Sequence, residues 1–74
     1  MNANELEAMQ LCRDAQMYPG EAQHSDSAET VYVIFENGKY TVYDNGEGES
    51  TADTYEAVKM IVSDIEAAQK LHAE

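Results

Sequence analysis

The chain has 74 residues, fifteen of them Asp or Glu and four Lys or Arg, for a formal net charge of −11. So acidic a surface excludes ordinary nucleic-acid binding, which needs Lys and Arg to neutralise phosphates, and it disfavours anionic membranes. One cysteine and two histidines rule out an internal disulfide and make a poor zinc set, so a domain burying only about 60% of its unfolded surface must rest on its core.

Charge this high also suits a disordered chain, but 43% hydrophobic content with clear periodicity argues for a single folded domain. The opening residues, MNANELEAMQLCR, carry acids where a secretory leader is basic and have no continuous apolar run. No stretch approaches the roughly 20 apolar residues of a membrane span. The expectation is a soluble, cytoplasmic monomer.

Asn4 with Glu7 three residues later makes a capping-box pattern, and a helix is expected from about Glu5 to Met17, stopped by Pro19-Gly20. Its apolar stripe is divided. Ala8, Leu11, Cys12 and Ala15 make one face, while Leu6, Met9 and Met17 fall on another. Cys12 reads as a structural thiol on that helix. Residues 18–29, YPGEAQHSDSAE, are polar and aperiodic, which predicts a loop containing a lone, exposed His24.

Residues 30–44, TVYVIFENGKYTVYD, form the clearest element. Asn37-Gly38 between alternating apolar residues predicts a two-residue hairpin turn, since both turn positions need φ > 0. That turn sets the register: Glu36 faces Lys39, Phe35 faces Tyr40, Val33 faces Val42 and Tyr32 faces Tyr43. One face carries Val31, Val33, Phe35, Tyr40 and Val42. The other carries Tyr32, Ile34, Thr41 and Tyr43, with Glu36 and Lys39 at the turn end.

Asn45-Gly46 reads as a second turn, and residues 47–51 are a candidate short third strand at the edge. Asp53 with Glu56 repeats the capping-box pattern ahead of a long helix, residues 54–72. Tyr55, Val58, Ile61, Val62, Ile65, Ala68 and Leu71 or His72 recur on it at three- and four-residue spacing. The fold class expected is α+β, a small α-β-β-(β)-α domain whose antiparallel hairpin sheet packs on the C-terminal helix. The first helix is expected over an edge or part of the opposite face. The Tyr32/Ile34/Thr41/Tyr43 face is then either core shared with that helix or an exposed interface.

No catalytic signature is present. Gly46 and Gly48 are followed by acids, which would repel phosphate. The run from Asp44 departs from a calcium loop at its third, sixth and twelfth positions, Gly46, Glu49 and Tyr55. No catalytic residue, metal site or cofactor is expected. The acids, by contrast, are clustered. Between Arg13 and Lys39 lie Asp14, Glu21, Asp26, Glu29 and Glu36; between Lys39 and Lys59 lie Asp44, Glu47, Glu49, Asp53 and Glu56. On a strand, Glu47 and Glu49 would project alike about 6.6 Å apart. The second group is expected where the hairpin's open end meets the start of the long helix, with Asp64 and Glu66 continuing a polar flank. Such an array either keeps the protein in solution or resembles the charge pattern of duplex DNA.

Small size, acidity, absence of a catalytic motif and a compact α/β layout together resemble the small phage-encoded anti-CRISPR proteins, with anti-restriction DNA mimics as relatives in strategy. The resemblance implies an inhibitor that places carboxylates where a CRISPR surveillance complex holds target DNA, with a type I complex (Cascade) as the first target. It implies a basic nucleic-acid-binding protein as partner inside the bacterial host, without direct nucleic-acid binding. Glu36, Asp44, Glu47, Glu49, Asp53 and Glu56 would make the contact, with Tyr32 and Tyr43 as packing anchors. The alternative is an interaction or regulatory module that uses the Tyr32/Ile34/Tyr43 face, its acidity incidental.

Overall fold

The computed structural model describes residues 2–71, an α+β domain of one helix, a four-stranded antiparallel sheet and a second helix. The first helix, α1, is Ala3–Met17. Strands β1 (Gln23–His24), β2 (Val31–Glu36), β3 (Lys39–Asp44) and β4 (Glu47–Thr51) follow, then α2, Thr54–Leu71. The strands form a meander in chain order. The expected helix end at His72 lies outside the described residues.

The hairpin has the register its turn demands, with Glu36 opposite Lys39 and Tyr32 opposite Tyr43. Asn37 and Gly38 have φ of 55° and 76°, and Asn45 and Gly46 repeat the pattern at 53° and 84°. The second Asn-Gly turn therefore folds β4 onto β3 as tightly as the first folds β3 onto β2, pairing Asp44 with Glu47.

Several expectations need correction. The α1 cap is Asn2, not Asn4: the Glu5 N–H donates to Asn2 Oδ1 at 2.9 Å, and the Asn2 N–H donates to Glu5 Oε1 at 3.1 Å. Two overlapping Asn-x-x-Glu patterns compete here, and the earlier one starts the helix at Ala3, two residues ahead of the expected Glu5. Asn4 instead exchanges side-chain hydrogen bonds with Gln69 of α2. At α2, Asp53 Oδ1 accepts from the Tyr55 N–H at 3.1 Å, as a cap should. The reciprocal Glu56 bond is replaced, because the Asp53 N–H donates to Thr51 Oγ1 at 3.1 Å and Glu56 pairs with Lys59 at 3.8 Å.

Residues 18–29 are not simply a loop. Gly20 donates its N–H to the Phe35 carbonyl and Ser25 to the Val31 carbonyl, each at 2.9 Å, and β1 lies between them on the outer edge of β2. Glu7, freed from capping, holds the other end. Its carboxylate accepts from the Ser25 and Ser27 hydroxyls and from the backbone N–H groups of Asp26 and Ser27. Burial by itself would raise the Glu7 carboxyl, but these hydrogen bonds hold it below the ordinary Glu value.

Both helices pack on the same face of the sheet. Ala8, Leu11, Cys12 and Ala15 of α1 share one core with Val31, Val33, Tyr40 and Val42 of the sheet and Ala57, Ile61 and Ile65 of α2. The expected placement of α1 over an edge or the opposite face is thus overturned. Of its two apolar faces, the one with Ala8 and Ala15, which lets backbones approach closely, is buried, while Leu6, Met9 and Met17 stay exposed. Along α2 the stripe is buried only at its centre. Tyr55 and Leu71 are exposed, because eighteen helical residues span about 27 Å against about 20 Å for a six-residue strand.

Tyr40 closes the core. Its ring is buried beside Phe35, with centroids 4.7 Å apart, while its hydroxyl lies 2.9 Å from Thr54 Oγ1 and accepts from Gln16 Nε2. One phenol therefore joins α1, β3 and α2, satisfying the requirement that a buried hydroxyl find partners.

Candidate functional site: an acidic hollow and an open sheet face

The acids singled out by sequence do not form one patch. β4 carries the chain back toward the Asn37-Gly38 turn, with Thr51 beside Tyr40, before α2 begins. Asp53 and Glu56 therefore sit at the turn end of the hairpin, as does Glu36, rather than at its open end. Expecting Asp53 and Glu56 at the open end with Asp44, Glu47 and Glu49 neglected the length of β4, whereas Glu36 lies beside Lys39 at the turn as its register required.

What does gather is Asp44, Glu47 and Glu49, joined by Asp64 from the middle of α2. Strand alternation puts all three strand acids on the helix side of the sheet: Glu47 opposes Asp44, and Glu49 opposes the core residue Val42. With Met60, Val42 and Gly48 they line a hollow of about 340 Å³ that contains no Lys or Arg. Asp44 also accepts from the Thr30 hydroxyl at 3.2 Å. Burial, with the charges of Asp44 and Glu49, raises the Asp64 carboxyl above its ordinary value. Asp64 was read only as part of a polar flank. Its spacing from Met60, four residues along the same helix side, was the available signal.

These carboxylates are spread rather than convergent. Among the described residues no group of three or more His, Cys, Asp and Glu has a metal-binding arrangement. Cys12 is buried at 2% exposure, and burial pushes its thiol up to about 11, so it is protonated near neutral pH and a weak nucleophile. A larger groove of about 570 Å³, between α1 and the start of α2, is lined by Met9, Cys12, Tyr40, Tyr55 and Val58, with Arg13 also on its wall.

Tyr32 and Tyr43 lie on the other side of the sheet, the one neither helix covers. They are half-buried, and their rings stack at 4.8 Å with 13° between planes. His24 extends the row, 4.9 Å from Tyr32. It is not the isolated loop residue expected, because β1 brings it into register with Tyr32.

Comparisons with protein-family models, curated proteins and solved structures give no match. No helix among the described residues is long and apolar enough to cross a membrane.

Proposed function

We propose that this protein binds a basic, DNA-contacting protein surface through its carboxylates and thereby excludes DNA. The partner class in this reading is a bacterial CRISPR surveillance complex, with a type I complex (Cascade) as the first candidate. The observation that carries it is the hollow formed by Asp44, Glu47, Glu49 and Asp64, a group of carboxylates unrelieved by any cationic neighbour. Like-charge crowding of this kind costs stability unless a cation arrives, and Lys or Arg on a partner would relieve it. The spread of carboxylates along β4, at about 6.6 Å between Glu47 and Glu49, suits a row of basic side chains better than a single ion.

Association should be fast and should weaken with salt, since the contact replaces phosphates or counterions by fixed carboxylates. The test is competition: purified Cascade, labelled target DNA and increasing amounts of this protein, at low and high salt. Displacement of DNA by the natural chain, and its loss on combining Glu47→Lys with Glu49→Lys in a folded variant, is the expected result. DNA binding undisturbed at low salt would remove Cascade as the target. Inhibition equal in the double variant would remove β4 from the contact.

A second reading is favoured by the uncovered sheet face. An interaction module using Tyr32, Ile34 and Tyr43 would bind in high salt and lose its partner on Tyr32→Ala or Tyr43→Ala.

A further inference from the structure

Among the described residues the exposed large apolar side chains are Leu6, Met9, Met17, Tyr18, Tyr55 and Leu71, and none of them is on a strand. Met9 and Tyr55 line the groove between α1 and the start of α2, and a second hollow continues it along the seam past Val58 to Val62. Contiguous apolar surface of this kind marks a contact site. Two acids, Glu5 and Glu66, and two bases, Arg13 and Lys59, line the seam, so half of the four Lys and Arg residues lie on it. On a chain of charge −11, the seam is locally neutral.

Glu5, Met9 and Arg13 follow one another at four-residue spacing along α1, on one side of the helix and on one wall of the groove. Arg13 makes no ion pair among the described residues. Glu5 uses Oε1 on the Asn2 N–H, and its second oxygen lies outside the capping box. Acid and base are therefore equidistant from Met9, which is the arrangement a two-fold axis requires. An α1 helix of a second copy, laid antiparallel across Met9, puts Glu5 opposite Arg13 twice, once in each direction. The same register sets Met9 on Met9, Asn2 opposite Gln16, and exposed Leu6 opposite Cys12 of the groove wall. A wholly acidic helix would suit Arg13 and leave Glu5 against like charge, and a wholly basic one would do the reverse. The antiparallel copy matches both.

We propose that the seam between α1 and α2 is the interface of a two-fold dimer, in which α1 of a second copy lies antiparallel over the groove with Met9 on the axis. This goes beyond the reading of the protein as a binder of basic surfaces. The seam shares no lining residue with the hollow of Asp44, Glu47, Glu49 and Asp64, so the dimer carries two such hollows.

Sedimentation equilibrium on the natural chain should give a monomer–dimer dissociation constant in the micromolar range, as a small interface does. The copies repel through their net charge. Raising salt from about 0.1 M to about 1 M, which cuts the screening length from roughly 10 Å to roughly 3 Å, should therefore tighten the dimer at least about five-fold. Binding to a basic surface has the opposite salt dependence. Arg13→Glu and Glu5→Arg should each weaken self-association at least about ten-fold, whereas an equimolar mixture of the two variants should recover it as a heterodimer, since each like-charge contact then meets its complement. Met9→Cys with oxidised glutathione should give a disulfide-linked dimer, and Gln10→Cys, on another side of α1, should not. That pair leaves the helix cap unchanged. A chain monomeric at every salt concentration would overturn the dimer and leave the reading of the acidic hollow untouched. A dimer that neither the mixture nor Met9→Cys tracks would place the contact elsewhere and overturn this interface.

Discussion

The Tyr43 ring lies so close over Gly48 that a Cβ there would come within 2.8 Å of Tyr43 Cε1. The two residues pair across β3 and β4, and the missing side chain on one strand is the space occupied by the ring on the other. Gly48 does not have a positive φ, so the constraint is contact rather than backbone conformation. Valine normally favours a strand. Here Gly48→Val should instead lower stability by about 1–2 kcal/mol, as overpacking does, and disturb the Tyr32–Tyr43 stack. Chemical denaturation and near-ultraviolet circular dichroism would check both effects, and a stabilised variant would contradict the assignment.

Glu7 should make the fold sensitive to acid. Its hydrogen bonds to residues 25–27 lower its carboxyl in the folded state. A depressed acid contributes stability above its unfolded value, and that contribution is lost as pH falls through the folded value. Glu7→Gln should cost about 1–2 kcal/mol at neutral pH, less than a fully buried charge because the site is part-exposed. The difference between variant and natural chain should shrink below about pH 4, a comparison that thermal melts over a pH series would make.

Asp64 has the opposite sign. Its carboxyl is raised by burial and by Asp44 and Glu49, so ionisation opposes folding. Its destabilising effect is present at neutral pH and fades as pH falls through the raised folded value toward the unfolded one. Asp64→Asn should therefore stabilise the protein at neutral pH, by about 0.5 kcal/mol after allowing for solvent screening. It should give no gain in strong acid. The same melts, run beside the Glu7 variant, would separate the two groups.

Tyr40→Phe tests the buried phenol. The ring stays, but Gln16 and Thr54 lose their common partner. The expected loss is about 1 kcal/mol, visible as a lower denaturation midpoint with an unchanged m-value. Because the hydroxyl joins α1 to α2 through β3, amides around Gln16 and Thr54 should exchange faster in the variant.

The sequence legible at close range was legible for local reasons. Asn37-Gly38 and Asn45-Gly46 demand positive φ, which set both turns and with them the register from Val31 to Thr51. Alternation then assigned Val31, Val33, Tyr40 and Val42 to one face, and the period of α2 placed Ile61 and Ile65 against it. β1 had no such signature. Two residues show no alternation, and they become a strand only because the outer edge of β2 offers unpaired N–H and C=O groups between the contacts of Gly20 and Ser25.

By itself, then, the sequence determined the charge, the hairpin, the second turn and the buried face of α2, all consequences of neighbours a few residues apart. Tertiary structure decided which of the two α1 faces is buried, and it put both helices on one side of the sheet, which left the Tyr32–Tyr43 side open. It also decided which acids meet. Asp64 joins Asp44 and Glu49, while Asp53 and Glu56 are carried to the other end, because packing brings together residues that no local pattern connects.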